Sequence, residues 1–358
     1  MAALITNLIS NVTAPVNYML MEGLLKAARR NLPYFNGSMP GQLVENRGAY
    51  AVQWERIENL TAVTTPLGEP TGNITFANGR DAVNPTVTRL NVSMAKYGNA
   101  ITLTEEVDLV QVNARAARFM DTLGENAGTS LNTILQSDIL SGVTTTRFAG
   151  GVASAAAIGA SITENDIKYV VNLLNRNSAM KMFPLGFGTT EYATAPIRSS
   201  YFGICHPDVE EDIRALGTNF IPVEKYGGYT PVLVGEFGTI GGVRWCTSEI
   251  ATITADTGIT SANGLRGSSA VLHDIYDCII YGEEAFGTVG LGENHAKEIY
   301  QGGDRVPAVQ LIAHQPGTSG VADMFNEVGS LAWKSFYAGK VLNPAWVYGL
   351  KVAASDLS

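Results

Sequence analysis

TLTEEVDLVQVNARAARFMDTLGENAGTSLNTILQSDIL (102–140) is the stretch on which the fold turns. Thr102 and Glu105 have the spacing of a capping box, in which hydroxyl and carboxylate satisfy two otherwise unpaired backbone donors at a helix start. Val107, Val110, Ala114, Ala117, Met120, Leu123, Ala127, Leu131 and Ile134 then recur at steps of three and four, one apolar stripe. The spacing predicts a helix over 105–140, on the order of 54 Å long at about 1.5 Å per residue. A helix of that length is a strut against which other elements are laid.

Ahead of the strut, AYAVQWERIE (49–58) alternates as a strand, with Tyr50, Val52 and Trp54 on one face and Ile57 on the other. TPLGEPTGNITFANGRDAVNPT (65–86) is rich in turn residues, and a second strand is expected over 87–103 with Thr88, Leu90, Val92 and Met94 on one side. Two strands around a Pro/Gly-rich tip make a long hairpin, which is marginal alone in water and has to lie on another surface. Residues 1–45 are broken by Pro15, Pro33, Pro40, Gly37 and Gly41 and read as an arm, with one short helix-like piece, NYMLMEGLLKAARR (17–30). Neither arm nor hairpin has an evident apolar partner of its own, so both are expected to bury their surface on neighbouring molecules.

Behind the strut, 142–160 reads as a flexible connection, and Ser161 and Glu164 as a second capping box opening an amphipathic helix. The rest is mixed. YFGIC (201–205) is a buried strand, and His206-Pro207 opens the short acidic helix DVEEDIRAL. A strand, a glycine turn and a strand follow over 232–248, then a polar insert over 252–270. DIYDCIIYGEEAFGTVGL (274–291) reads as a strand leading into a loop, and 328–353 as one or two long strands. The fold class expected is therefore α+β.

The 358 residues carry 24 Lys and Arg against 33 Asp and Glu, a formal charge of -9 that argues against a basic nucleic-acid-binding face. Only 16% of residues are charged while 46% are hydrophobic and 38 are Gly. That balance excludes an intrinsically disordered chain and points to an assembly, since less surface must be kept wet. No stretch reaches the roughly 18–20 apolar residues of a membrane span, and the start MAALITNLISNV lacks the basic and apolar regions of a secretory signal. The sequons at Asn11, Asn59, Asn73 and Asn91 accordingly read as strand and turn residues. Cys205, Cys246 and Cys278, odd in number and without CxxC spacing, are expected as reduced buried thiols.

Catalytic, metal and cofactor sites find no support. Cys205 and His206 are adjacent, which points their side chains to opposite sides of a strand. His206, His273, His295 and His314 lack ligand spacing. GEFGTIGG (235–242) matches no phosphate loop and is flanked by strands on both sides. Asp208, Glu210, Glu211 and Asp212 sit at a helix start, where carboxylates complement the dipole. Lys26, Arg29 and Arg30 are the one local basic cluster, a solvated face or a contact to nucleic acid or an acidic neighbour.

In this arrangement of arm, hairpin, strut and mixed α/β unit, the chain resembles phage major capsid proteins of the HK97-like fold, and among them the N4-type family. The markers are TTPLGEP (64–70), KYGNAITLTEEVDL (96–109), HPDV (206–209), GEFGTIGGVRW (235–245), YGEEAFG (281–287) and GSLAWKSFYAGKVLNPAW (329–346), spread in order over most of the chain. The resemblance implies an N-terminal arm (1–45), an extended hairpin or E-loop (46–103), a spine helix and connection (104–160), a mainly axial domain with peripheral strands (161–325), and C-terminal strands returning to the core (326–358). It implies a structural protein that self-assembles through hexamers and pentamers into the icosahedral shell around double-stranded DNA, with no enzymatic activity. Its partners would be other copies of itself, a portal, a separate scaffolding protein and a decoration protein. The shell would hold DNA without sequence-specific binding, contact no membrane, assemble in the host bacterial cytoplasm and end in the virion. Intersubunit contacts would fall on Tyr50, Trp54, Leu67, Ile74, Phe76, Leu24 and Leu25, with Lys26, Arg29 and Arg30 as inner-surface basic contacts. Lys96 is the lysine nearest the hairpin tip, and it assigns no covalent cross-link. An encapsulin-like compartment of the same fold is the alternative, and a soluble enzyme the least supported one.

Overall fold

The computed structural model describes residues 33–43, 51–58, 60–62, 64, 85–104, 115–182, 199–217, 219–226, 233, 235–259, 264–267, 272–291, 309–314, 325 and 327–356. Among them the chain forms β1 (Met39–Leu43), β2 (Ala51–Ile57), β3 (Val87–Ser93), β4 (Ala95–Thr104), helix α1 (Arg115–Gly142), β5 (Thr146–Phe148), α2 (Glu164–Arg176), β6 (Tyr201–Cys205), α3 (Pro207–Ala215) and β7 (Ile221–Pro222). β8 (Glu236–Ile240), β9 (Val243–Thr247), β10 (Ile253–Thr254), β11 (Ile275–Tyr281), β12 (Phe286–Leu291), β13 (Val309–His314), β14 (Val328–Val341) and β15 (Val347–Val352) complete it.

These strands build two sheets and a separate ribbon. A five-stranded sheet runs β1-β12-β14-β13, with β4 also on β14; residues 330–335 of β14 pair with β13 on one edge and β4 on the other. An eight-stranded sheet runs β5-β15-β11-β6-β9-β8-β7, with β10 beside β11. Among the described residues β2 and β3 pair only with each other.

Burial follows from how side chains alternate. On α1, Met120, Leu123, Ala127, Leu131, Leu135 and Ile139 are buried, the three- and four-residue steps of a stripe. They meet Leu331, Trp333, Tyr337 and Val341, the alternate residues of β14. The indole of Trp333 donates to Asn126 Oδ1 of α1 at 3.0 Å, and the N–H of Tyr34 donates to Asn132 Oδ1 at 3.4 Å. β11 is buried along its whole length, as a strand covered on both faces must be. Tyr276, Cys278 and Ile280 enter a core with α2, α3 and Trp245, whereas Ile279 and Tyr281 enter the core under α1. β6 divides in the same way, Tyr201 and Cys205 on one side, Phe202 and Ile204 on the other.

Several sequence-based expectations change. Thr102 does not cap the strut: it lies in β4, paired with Ser330, because β14 offers the 95–104 segment a full ladder. The helix is described from Arg115, and Glu105, Val107, Val110 and Ala114 lie outside the described residues. The strand expected over 87–103 is two strands that part at Met94, one in the ribbon and one in the five-stranded sheet. α2 is capped by Thr163, whose hydroxyl accepts from the Asp166 N–H, and not by Ser161, which bridges to Ala353. The 142–160 connection is ordered by that same aspartate. Asp166, 1% exposed, receives Arg147 Nε at 3.1 Å, the Gly150 N–H at 3.1 Å and the Thr163 hydroxyl at 2.5 Å. With the turn held, β5 joins the sheet edge beside β15. Residues 274–291 form two strands, because GEEA (282–285) is a turn with Glu284 at φ 58° and β12 pairs onward with β14. The C-terminal run likewise makes β14 and β15, one in each sheet. In the 252–270 insert, Ile259 donates its N–H to the Ile158 carbonyl at 3.0 Å and Leu265 is buried, so part of it packs as core.

The glycine turn between β8 and β9 forms as read, with Gly241 and Gly242 at positive φ, where a Cβ is disfavoured. Beside it Arg244 and Glu236, 2% and 0% exposed, form an ion pair of 2.5 Å, and Glu236 also accepts from the Tyr226 hydroxyl and the Leu233 N–H at 2.9 Å each. All three cysteines are free and buried. Burial drives the Cys205 and Cys278 thiols well above the usual range and the Cys246 thiol up to about 12.

Removing one partner of a buried pair strands the other charge, so Glu236→Ala should cost about 3–5 kcal/mol in urea unfolding. The half-buried Asp138 of α1 has its carboxyl raised by burial, against a lowering hydrogen bond from the Gly339 N–H and the charge of Lys340. The protonated form is therefore favoured in the folded state, and stability falls as pH rises through that raised pKa. Asp138→Asn should then be more stable than the parent at pH 7, and thermal melts from pH 7 down to about pH 4, near the unfolded value of roughly 3.9, should show the gain disappear.

Candidate functional site

Among the described residues the strands of the β2–β3 ribbon pair only with each other, and the ribbon's seat on the body is the site of interest. Its register is regular, Ala51 opposite Ser93 through Ile57 opposite Val87. Alternation gives it an outer face of Ala51, Gln53, Glu55 and Ile57 with Val87, Arg89, Asn91 and Ser93, all exposed, and an inner face of Val52, Trp54 and Arg56 with Thr88, Leu90 and Val92, half-buried.

Trp54 fixes that inner face. Its ring lies over Gly41 of β1 and Gly287 of β12, where an added Cβ would stand 2.8 Å from the ring carbon Cζ2 in each case. Val52, Trp54, Val92 and Phe336 flank a small buried cluster of Met94, Val289 and Ala338. One turn further out, Arg56 Nη1 donates to the Leu342 carbonyl at 3.1 Å and to Asn343 Oδ1 at 3.5 Å, while Glu58 holds the same guanidinium at 2.6 Å. An aromatic ring in a glycine slot and one arginine strap thus set the angle at which the ribbon leaves the body.

Beyond the strap an open groove of about 600 Å³ lies between ribbon and body. The body side is cross-tied: Asn177 Nδ2 donates to the Ala345 carbonyl at 3.1 Å and the Tyr348 hydroxyl at 2.6 Å, Trp346 Nε1 donates to the Asn177 carbonyl at 3.0 Å, and the Glu283 N–H donates to the Met180 carbonyl at 2.9 Å. Ile57 and Met180, 65% and 45% exposed, line the groove, and its rim carries Glu55, Glu58 and Glu284.

Of the expected contact residues the structure describes only Trp54, and it packs on its own chain. The hairpin's base therefore has an internal partner that the sequence reading did not provide. Tyr50, Leu67, Ile74, Phe76, Leu24, Leu25, Lys26, Arg29 and Arg30 lie outside the described residues. Arg56 was within reach of sequence reasoning, being two residues from Trp54 on the same face; Gly41 and Gly287 carried no sequence signal that they formed a slot.

No group of three or more His, Cys, Asp or Glu side chains among the described residues could hold a metal ion, and none of the described helices is long and apolar enough to cross a membrane. His206 caps α3, its Nδ1 accepting from the Asp208 N–H at 3.2 Å, and burial lowers its pKa against the raising effect of Asp208.

Solved structures supply the comparison. The capsid of Ralstonia phage GP4 superposes with a TM-score of 0.62 at 12% identity, covering 92% of this chain and 93% of that one. The fold is that of phage capsid chains. The capsid of cyanophage P-SCSP1u (TM-score 0.54, 11% identity, 91% and 89% covered) and the head of Helicobacter pylori bacteriophage KHP40 (0.54, 11%, 90% and 90%) share it. No family model and no curated protein matches the sequence. At such identities the capsid fold is kept by burial pattern and strand order, which a sequence can preserve while most side chains change.

A methyl group on Gly287 should push the Trp54 ring out of its slot. Gly287→Ala should lower stability by about 1–3 kcal/mol and red-shift Trp54 emission, read in a chain where the other three tryptophans are replaced by phenylalanine.

Proposed function

We propose that the chain is a major capsid protein, a subunit that assembles through hexamers and pentamers into the icosahedral shell around the double-stranded DNA of a tailed phage. The observation that carries this reading is the two-way coverage with the GP4 capsid chain, 92% and 93%. Nearly all of this chain is matched, and nearly all of a capsid chain is needed to match it. The exposed ribbon supports it, since an apolar-edged projection is of use where neighbours cover it.

Within this reading the five-stranded sheet with α1 is the peripheral domain and α1 the spine helix. The eight-stranded sheet with α2 and α3 is the axial domain, and β2–β3 is the base of the E-loop. The chain is placed in the N4-type family on its sequence markers. Individually weak contacts, repeated over many copies, sum to a stable shell and stay weak enough singly to correct errors in assembly. Portal, scaffolding and decoration proteins are the partners expected, the host bacterial cytoplasm the place of assembly, and the virion the destination. The net charge of -9 suits an inner wall that encloses DNA without gripping it.

Electron microscopy of the expressed full chain, alone and with its scaffolding protein, tests the proposal. Closed shells of hexamers and pentamers are expected. A chain that stays monomeric in both samples, while the source virion carries another dominant shell protein, contradicts it, and shells filled with a cargo enzyme would make it a compartment. Deleting 65–86 should leave a folded subunit that closes no shells.

A further inference from the structure

Cys205 ends β6 and Cys278 lies within β11, both wholly buried and both in the core shared with α2 and α3. The antiparallel ladder between these strands pairs Ile279 with Ile204, Ile280 with Gly203 and Tyr281 with Phe202. One step further along, the same register sets Cys278 opposite Cys205.

Hydrogen bonds on either side fix what kind of pair this is. The N–H and C=O of one strand residue point to the same edge, and successive residues alternate. On β6 the Cys205 carbonyl accepts from the Ser248 N–H at 2.9 Å and the Tyr201 N–H donates to the Gly242 carbonyl at 2.9 Å, so both residues bond toward β9. On β11 the Asp277 N–H donates to the Thr252 carbonyl at 3.0 Å, on the edge that β10 and β6 occupy, so Cys278 bonds toward β15. Cys205 and Cys278 are therefore a non-hydrogen-bonded pair, the closer kind, with about 4.5 Å between Cα atoms. Disulfides span Cα separations of roughly 4.4–6.8 Å with both Cβ vectors on one face, and this pair fits.

The Cys205 sulfur lies 3.8 Å from the Cys246 carbonyl, and a change of one side-chain rotamer aims it at β11. Cys246 itself is excluded by alternation. Its neighbour Trp245 enters the core of Cys205, so Cys246 points to the opposite face of the sheet.

We propose that Cys205 and Cys278 are a redox-sensitive pair, closed to a disulfide across β6 and β11 by a low-molecular-weight disulfide. One cysteine, as thiolate, attacks a sulfur of the small disulfide R–S–S–R, forming a mixed disulfide and releasing R–S⁻, which takes up a proton. The other cysteine thiolate attacks the protein sulfur of that mixed disulfide and expels the second R–S⁻. Two protein thiols lose two electrons and two protons, and R–S–S–R becomes two R–SH. Burial first, and the nearness of Cys278 second, push the Cys205 thiol well above its usual range, so the closed fold resists the reaction and it proceeds when the strands open. The bond closes the loop 205–278, with α3 and β7 to β10 inside it, and clamps the two strands that both cores share. This goes beyond the shell reading and does not rest on it.

The full chain, held in oxidised and reduced glutathione at a urea concentration just below its unfolding midpoint, tests the pair, because every thiol is then exposed in turn. After acid quenching and alkylation, trypsin leaves the three cysteines on separate peptides, 199–214, 245–266 and 267–297. Peptide 199–214 should be linked to 267–297 at least tenfold more often than 245–266 is linked to either. The linked chain should unfold at a urea midpoint about 1 M above the reduced one, and dithiothreitol should abolish the gain. Cys246→Ala should leave link and shift unchanged, and Cys278→Ala should remove both. Glutathione adducts on all three cysteines without the link, Cys246 linked as often as the others, or a midpoint that ignores the link overturns the proposal. None of these outcomes bears on shell assembly, which microscopy reads separately.

Discussion

The rest of the structure depends on β11 and β6 being buried on both faces. Alternate side chains of the same strands enter different cores, Tyr276, Cys278 and Ile280 toward α2 and α3, Ile279 and Tyr281 toward α1. A one-residue slip in either strand would exchange the two sets, so register here is fixed by two cores at once. β14 and β15 reinforce the join, because the chain leaves the five-stranded sheet at Val341 and enters the eight-stranded one at Val347. The body is consequently one mechanical unit, and the ribbon is what it carries.

That division matters for the proposed function. On that proposal a shell subunit needs a body that keeps its shape and projections that can meet neighbours. Here the projection is held by one indole in a glycine slot, a small apolar cluster around Met94 and one arginine strap, few contacts beside those that hold the body. Its direction is therefore set by Gly41, Gly287 and Leu342, residues of the body, while its outer face is left to whatever surrounds it.

Much of this was legible in sequence where burial is one-sided and periodic. Met120 to Leu131 marked α1, YFGIC marked a strand covered on both faces, and the Gly241–Gly242 turn announced β8 and β9. The expectations that changed share a cause. Thr102 with Glu105, and Ser161 with Glu164, have the spacing of caps, but local spacing cannot weigh a cap against a ladder on β14 or a bridge to Ala353, both more than 150 residues away. The seat of the ribbon was half visible. Trp54 stood out as an inward aromatic, and the reading sent it to a neighbour because Gly41 and Gly287, more than 200 residues apart, form a slot only after β1 pairs with β12. The capsid resemblance came from marker segments spread along the chain, and the superposition on other capsid chains rests on strand order, an independent property.

Hydrogen exchange of the full-length protein, followed by mass spectrometry along a urea series, measures the central claim most directly. If β6 and β11 join the cores into one unit, amides of α1, β14, α2 and β9 will converge on a single opening free energy, with β2 and β3 opening well below it. Two separate free energies, one for α1 with β14 and another for α2 with β9, or a ribbon as protected as β11, would contradict it.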